Sequence, residues 1–195
     1  MAENKVQFGL KNVYIAELTD TGEALTYTTP WKQRGAVEMT LDPAGESSPF
    51  YADDTTYYMA TSNQGYSGKL ILALVSDEFR EKILGEKYDE NGLLFESTDA
   101  KQSSFAMMFE FDGDQTKTRH VLYNVSVTRP SLSGKTKEDK VEPDTQELEF
   151  TASANPYTGY PKAKTSSQTP KEIYDAWFTT VQEVSGVASA SAPEA

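Results

Sequence analysis

The sequence holds one histidine, His120, at the head of "RHVLYNVSVTR", and no cysteine. A Ser-His-Asp arrangement needs its histidine beside a nucleophile, and no serine motif adjoins this one. Zinc sites draw on clusters of Cys and His, which one histidine cannot supply. His120 is therefore expected to be structural or surface-exposed. Thirty carboxylates guarantee that some pair lies at glycosidase distance, so spacing alone nominates none. "DGD" at 112–114 and "DENG" at 89–92 resemble pieces of calcium loops, but neither continues with the remaining oxygen ligands. Turn chemistry explains both more simply, and Asn91-Gly92 between "KYDE" and "LLFE" is a strong hairpin signal. "GYSGKL" at 65–70 has a Gly-Lys pair without phosphate-loop spacing. No catalytic, cofactor or metal site is nominated.

The elements that would carry any site read mostly as strands. In "SSFAMMFEF", Phe105, Met107, Phe109 and Phe111 share a face by period-2 alternation. After "DGDQTK", a turn, Val121, Tyr123, Val125 and Val127 share a face, with Asn124, Ser126 and Thr128 opposite. "QELEFTAS" sends Leu148, Phe150 and Ala152 inward and Glu147, Glu149 and Thr151 outward. These three predict amphipathic strands of one antiparallel system. "GKLILALV" is apolar on both parities from Leu70 to Val75, which predicts cover on both faces by a helix, a second sheet or another subunit. "VQFGL" and "VYIAEL" alternate with a parity shift at Lys11-Asn12, predicting a bulge or kink. "TDTGEA" makes the turn that follows.

Two helices are expected. Ser76 caps "DEFREKIL", with Asp77 and Glu78 in the first turn, Phe79 and Ile83 on one face and Gly85 ending it. Thr169 and Glu172 have capping-box spacing around Pro170, ahead of a stripe of Ile173, Tyr174, Trp177, Phe178 and Val181. "SGVASASAPEA" beyond it predicts a flexible tail, so the reading is one domain over 1–183 and a tail over 184–195. The fold class expected is mainly β (α+β), a sandwich or partly open barrel carrying a short mid-chain helix and a C-terminal helix.

The formal net charge is −12, and residues 41–114 alone carry five basic and fifteen acidic groups. Such a surface repels nucleic acid, because DNA binding needs Lys and Arg against phosphates. No apolar run approaches the roughly 20 residues of a membrane span, and "MAENKVQFGL" lacks the pattern of a secretory signal. Absence of cysteine means no disulfide framework, which fits assembly inside a cell.

Residues 42–61, "DPAGESSPFYADDTTYYMAT", pose the remaining problem. They open with chain breakers, read as a long loop over about 42–56, and yet carry Phe50, Tyr51, Tyr57, Tyr58 and Met59. With Trp31 and Tyr66, these aromatics admit three readings: core, a stacking platform for sugars, or contacts with another chain. Aromatics remove much area from water at low entropy cost, which favours a subunit interface slightly. The rival is a carbohydrate-binding β-sandwich of a virion or cell surface using Trp31, Tyr57, Tyr58 and Tyr66.

The ordered set of segments resembles the major tail proteins, or tail tube proteins, of long-tailed, non-contractile phages of Gram-positive bacteria. It is carried by "NKVQFGLKNVYIAEL", "LDPAGESSPFYADDTTYY", "GYSGKLILALVSDEFREKILGE", "FAMMFEFDGDQTKTRHVLYNVSVTRPS" and "YDAWF", spanning roughly residues 4 to 183. The resemblance implies six copies in a ring, rings stacked into a hollow tube around a tape-measure protein and joined to tail-end proteins, and no cofactor or catalytic residue. It implies that a long loop reaches the adjacent ring, here through Asp42, Pro43, Ser48, Pro49, Phe50, Tyr51 and Asp53. DNA would pass through the lumen without specific binding, with Glu147 and Glu149 as candidates to line it. The expected location is the virion tail, after assembly in the host cytoplasm and with no membrane contact.

Overall fold

The computed structural model describes residues 9–114, 116–131, 134 and 144–185. Residues 6–8 of the first expected strand, Gln115 of the "DGDQTK" turn and residues 186–195 of the expected tail lie outside the described residues.

The main sheet is antiparallel and runs in the order β2 (Leu25–Tyr27), β1 (Leu10–Asp20), β10 (Phe105–Phe111), β11 (Arg119–Val127), β12 (Gln146–Ser153), β7 (Gly65–Leu72), β4 (Ala36–Ala44). β3 (Trp31–Lys32) adds to β1, and β13 (Lys162–Lys164) adds to β11 beside β12. Two separate ribbons complete the strands: β5 (Ser47–Ala52) with β6 (Thr55–Thr61), and β8 (Lys87–Tyr88) with β9 (Leu94–Phe95). The mainly-β expectation holds. The main sheet curls without closing into a barrel, since no ladder joins β4 to β2 among the described residues.

One face of this sheet buries the main core. Val13 and Ile15 of β1, Leu70 and Leu72 of β7, Phe105, Met107 and Phe109 of β10, and Leu148, Phe150 and Ala152 of β12 meet there. A helical turn, α1 (Asp77–Phe79), continues as a π-helical stretch over Arg80–Leu84 and plugs the core with Phe79, Ile83 and Leu84. Its signals are those read from the sequence. The Ser76 hydroxyl accepts from the Phe79 amide at 3.3 Å, and Gly85 ends the segment at φ +76°. The bulge expected at Lys11-Asn12 is present as a register shift between Lys11 and Tyr14, with Asn12 at φ +51°.

Three expectations need correction. β10 is not amphipathic: Ala106 and Met108 are as buried as Phe105 and Met107, because the C-terminal segment covers the reverse face with Trp177 and Val181. The shared face expected for β11 is broken. Phe105 pairs with Val125 but Met107 with Leu122, so β11 carries one extra residue. That bulge turns Val121 and Tyr123 to the C-terminal segment and Val125 and Val127 to the main core.

The C-terminal helix, α2 (Lys171–Ala176), is only six residues long and lacks the capping box. Thr169 Oγ1 instead accepts from the Ser166 amide at 2.9 Å, closing the turn before Pro170. The β-branched run Thr179-Thr180-Val181 disfavours continuation, and the Thr179 hydroxyl donates to the Ala176 carbonyl at 2.9 Å. Trp177 and Val181 still reach the core side, but in an irregular strap rather than on one helical face. Tyr123 Oη anchors that strap by donating to the Gln182 carbonyl at 2.8 Å.

Candidate assembly interface

The long connection over 42–61 is not a loop. β5 and β6 form a two-stranded arm that continues the β4–β7 ribbon, joined through Gln64 N to the Ala44 carbonyl (2.8 Å) and Ser62 N to the Glu46 carbonyl (2.9 Å). Asp53 and Asp54 make its two-residue turn with φ of +50° and +58°, both in the left-handed region that a type I′ hairpin turn requires. The chain breakers Pro43, Gly45 and Pro49 all sit on the outgoing side of the ribbon, whereas the return strand holds none.

Glycines fix where the arm leaves the sheet. A Cβ on Gly45 would fall 2.1 Å from the Ser62 carbonyl oxygen, and one on Gly65, at φ +93°, 2.1 Å from that of Ala152. At both positions the neighbouring backbone approaches too closely for any side chain.

The arm is apolar on both faces. Phe50 stands opposite Tyr58 on one face, while Pro49 stands opposite Met59 on the other, the face of Tyr51. Tyr57 is the extra residue at the shift between Phe50 and Tyr51. Phe50, Tyr51, Tyr57, Tyr58 and Met59 are all more than half exposed, Tyr57 at 75%. An isolated two-stranded ribbon is marginal in water, and one that is greasy on both sides more so.

Of the residues expected at the interface, Ser48, Pro49, Phe50, Tyr51 and Asp53 fall on the arm. Asp42 and Pro43 lie at its root, on β4, facing Ser67 and Tyr66 of β7. The loop expected over about 42–56 extends further: Tyr57, Tyr58 and Met59 lie on the return strand of the same arm, after the Asp53-Asp54 turn.

Glu147 and Glu149 lie on the sheet face turned away from the main core, as their parity predicts. Lys69 of β7 sits between them, its Nζ 2.7 Å from Glu147 and 3.2 Å from Glu149. The carboxylates hold the ammonium above its ordinary range, chiefly through the hydrogen bond it donates to Glu147. Register places Glu38, Thr40 and Asp42 of β4, Ser67 and Ile71 of β7, and Thr151 of β12 on the same face. Four carboxylates thus share that face with one lysine and several hydroxyls. Among the described residues, none covers Ile71, the second-parity apolar residue of β7, as fully as Leu70 and Leu72 are covered.

The residues that might have done chemistry are accounted for structurally. His120 stacks on Phe109 at 5.1 Å and 6°, with Phe111 edge-on, and burial pushes its pKa down to about 4, helped by Lys162 and Lys164. Burial raises the pKa of Asp114, but hydrogen bonds from Thr116 and Thr118 outweigh this and hold it at about 2. Asp112 pairs with Lys11 at 2.7 Å, and Asp89 caps the Asn91-Gly92 turn through the Asn91 and Leu93 amides. Gly65–Leu70 lies inside β7 and cradles no phosphate-type loop. Among the described residues no group of three metal-ligating side chains occurs, and no helix is long and apolar enough to cross a membrane. The sugar-platform residues are not assembled either. Trp31 and Tyr66 pack against the main core under Lys82 and Lys162, at 4.8 and 4.3 Å from the ring centres, away from Tyr57 and Tyr58 on the arm.

Fold and surface together define a mainly-β protein whose unusual feature is its exposed aromatic arm. The chain belongs to the phage tail tube protein family, whose model matches residues 2–190. It is accordingly a structural component of the virion tail and not an enzyme. No curated protein matches the sequence. Among solved structures, a chain in the cryo-EM structure of the anti-feeding prophage baseplate, 6-fold symmetrised, is similar over 87% of this chain and 100% of its own, at 8% identity and a TM-score of 0.47.

Proposed function

We propose that this chain is the repeating subunit of a siphophage tail tube, built from hexameric rings that stack through the arm. The observation that carries the reading is the arm itself: two strands of exposed aromatics, apolar on both faces, with no cover from the described residues. Burying about 400 Å² of such surface contributes on the order of 10 kcal/mol before association costs, and a ring repeats the contact several times. The acidic, hydroxyl-rich face carrying Glu147 and Glu149 lines the lumen. It presents DNA with a wall that repels phosphates, so that the genome slides during ejection without being held. The tape-measure protein fills the same bore before ejection, and tail-end proteins close the tube. One tube domain spans residues 1–183, followed by the tail 184–195, and assembly takes place in the cytoplasm of a Gram-positive host before incorporation into the virion.

The test is negative-stain electron microscopy of the purified chain at high concentration, with and without tube seeds. Rings and tubes are expected from the native chain. A chain that stays monomeric at every concentration, seeded or not, rejects the reading.

A further inference from the structure

The turn of the β8–β9 hairpin carries a reactive pair that tube assembly does not use. Asn91 is the chain's only asparagine followed by glycine. Both residues are exposed, and no described atom lies within 4 Å of where a Gly92 Cβ would stand. The main-chain nitrogen of Gly92 therefore meets little steric hindrance. The other described asparagines are poorly placed by comparison. Asn12 and Asn124 precede Val13 and Val125, buried β-branched residues of β1 and β11. Gln64, after Asn63, commits its amide to the Ala44 carbonyl at 2.8 Å within the continuous β4–β7 ribbon, and Pro156, after Asn155, has no N–H.

The Gly92 amide donates to the Asp89 carbonyl at 3.1 Å, but the ladder behind it is only two pairs long, Lys87 with Phe95 and Tyr88 with Leu94. So short a ribbon, separate from the main sheet, opens at little cost, and opening frees that N–H. The Asp89 carboxylate meanwhile accepts from the amides of Asn91 and Leu93 at 2.9 and 2.7 Å, and from Asn91 Nδ2 at 3.3 Å. It keeps the Asn91 side chain folded onto the turn, close to the main chain that must attack it.

We propose that Asn91-Gly92 is a site of spontaneous main-chain modification, at which Asn91 is converted through a succinimide to aspartate and isoaspartate with water as co-reactant. The Gly92 nitrogen gives up its proton to solvent base and attacks the Asn91 side-chain carbonyl carbon. The new C–N bond closes a five-membered imide; the bond to Nδ2 breaks, and Nδ2 takes up a proton and leaves as ammonia. Water then adds to one of the two imide carbonyls and opens the ring. Opening at the side-chain carbonyl gives aspartate, and opening at the main-chain carbonyl gives isoaspartate. Nothing is oxidised or reduced, and the sum is amide plus water to carboxylic acid plus ammonia. Either product adds a negative charge beside Asp89 and Glu90. Isoaspartate also lengthens the main chain by a methylene, which misaligns the bond from the Asp89 amide to the Leu93 carbonyl, 3.0 Å long, that closes the turn.

The test incubates the purified native chain at mildly alkaline pH and follows each asparagine by peptide mapping and mass spectrometry, with isoaspartate labelled by protein isoaspartyl methyltransferase. Conversion at Asn91 should be at least about ten-fold faster than at Asn63 or Asn124, and should yield both products. Asn91→Gln, which has to close a six-membered ring, should slow conversion at that position by about ten-fold or more. Unfolding the native chain in urea should speed it by no more than about ten-fold, the cost of opening so short a hairpin. Conversion at Asn91 no faster than at Asn63 and Asn124 overturns the proposal, as does aspartate formed without isoaspartate, the mark of direct hydrolysis. A folded chain that keeps Asn91 intact while the urea-unfolded chain converts also overturns it, because the turn then protects the pair. Tube formation is read separately, so the assembly proposed above stands or falls on its own test.

Discussion

Phe50 and Tyr58 face each other directly across the β5–β6 arm, and both are more than 60% exposed although each is among the largest apolar side chains of the chain. A cross-strand aromatic pair stabilises a ribbon by roughly 0.2–1 kcal/mol, far too little to justify that much wetted surface. The pair is thus expected to matter to the assembly and hardly at all to the monomer. Phe50→Ser should leave the denaturant midpoint of the monomer unchanged to within about 0.5 kcal/mol. The same variant should reduce the mass of sedimentable tubes at least about ten-fold, a loss of some 1.4 kcal/mol or more per contact. A large drop in monomer stability instead would show that the arm packs on its own chain.

The turn at the tip offers the opposite change. Asp53 and Asp54 hold φ of +50° and +58°, a region that costs a residue with a Cβ about 1 kcal/mol or more, less for Asp than for most. Asp54→Gly removes that cost at the position where type I′ turns favour glycine. The arm amides of Tyr51 and Thr56 should then exchange with deuterium about three- to ten-fold more slowly, since local opening becomes costlier. Asp54→Val should move the exchange rates the other way, because a β-branched residue tolerates positive φ worst.

At the root of the arm, backbone spacing should prove stricter than at the tip. Gly65→Ala adds a Cβ 2.1 Å from the Ala152 carbonyl oxygen in a residue already at φ +93°. Either β7 parts from β12 or the backbone rotates, and both outcomes break ladder bonds between Tyr66 and Ala152. A loss of about 3 kcal/mol or more is expected in chemical denaturation. Gly22→Ala is the contrasting control: its φ of +85° is also positive, but no atom lies within 4 Å of the added Cβ, so the loss should stay near 1 kcal/mol.

Much of this architecture was legible because local signals and tertiary packing agree. The inward alternation of Leu148, Phe150 and Ala152, the Ser76 cap and the bulge at Lys11-Asn12 each depend on neighbours in sequence, and each is present. What escaped the sequence depends on distant partners. Val121 and Val125 read as one face, yet the β11 bulge opposite Ala106 puts them on two. Thr169 and Glu172 have capping-box spacing, but Thr169 serves the preceding turn and the strap must bend to bury Trp177. The arm was concealed differently. Its outgoing side holds Pro43 on β4, Gly45 between the strands and Pro49 on β5, residues that ordinarily end strands, and they survive because the neighbouring ladder positions carry the pairing.

His120 yields a pH dependence whose sign is fixed by its burial. Sandwiched against Phe109 and Phe111, with Lys162 and Lys164 nearby and Asp114 opposing them weakly, it has a folded-state pKa of about 4 against 6.5 when unfolded. Below pH 6.5 the unfolded chain takes up a proton that the folded chain refuses, so unfolding is increasingly favoured as the pH falls. The contribution is fully present above pH 6.5, is lost progressively down to about pH 4 and levels off below. The shift corresponds to about 3 kcal/mol, reduced to about 2 by the screening of a side chain that is not fully enclosed. Asp114, held at about 2 against 3.8 when unfolded, contributes stability that is lost as the pH falls from about 3.8 to about 2, below the histidine window. His120→Phe keeps the stacked arrangement and removes the titration. Urea denaturation from pH 7 to pH 4 should therefore show the native chain losing about 2 kcal/mol more than His120→Phe across that interval. Parallel curves for the two proteins would mean that the imidazole reaches solvent and takes up its proton in the folded state.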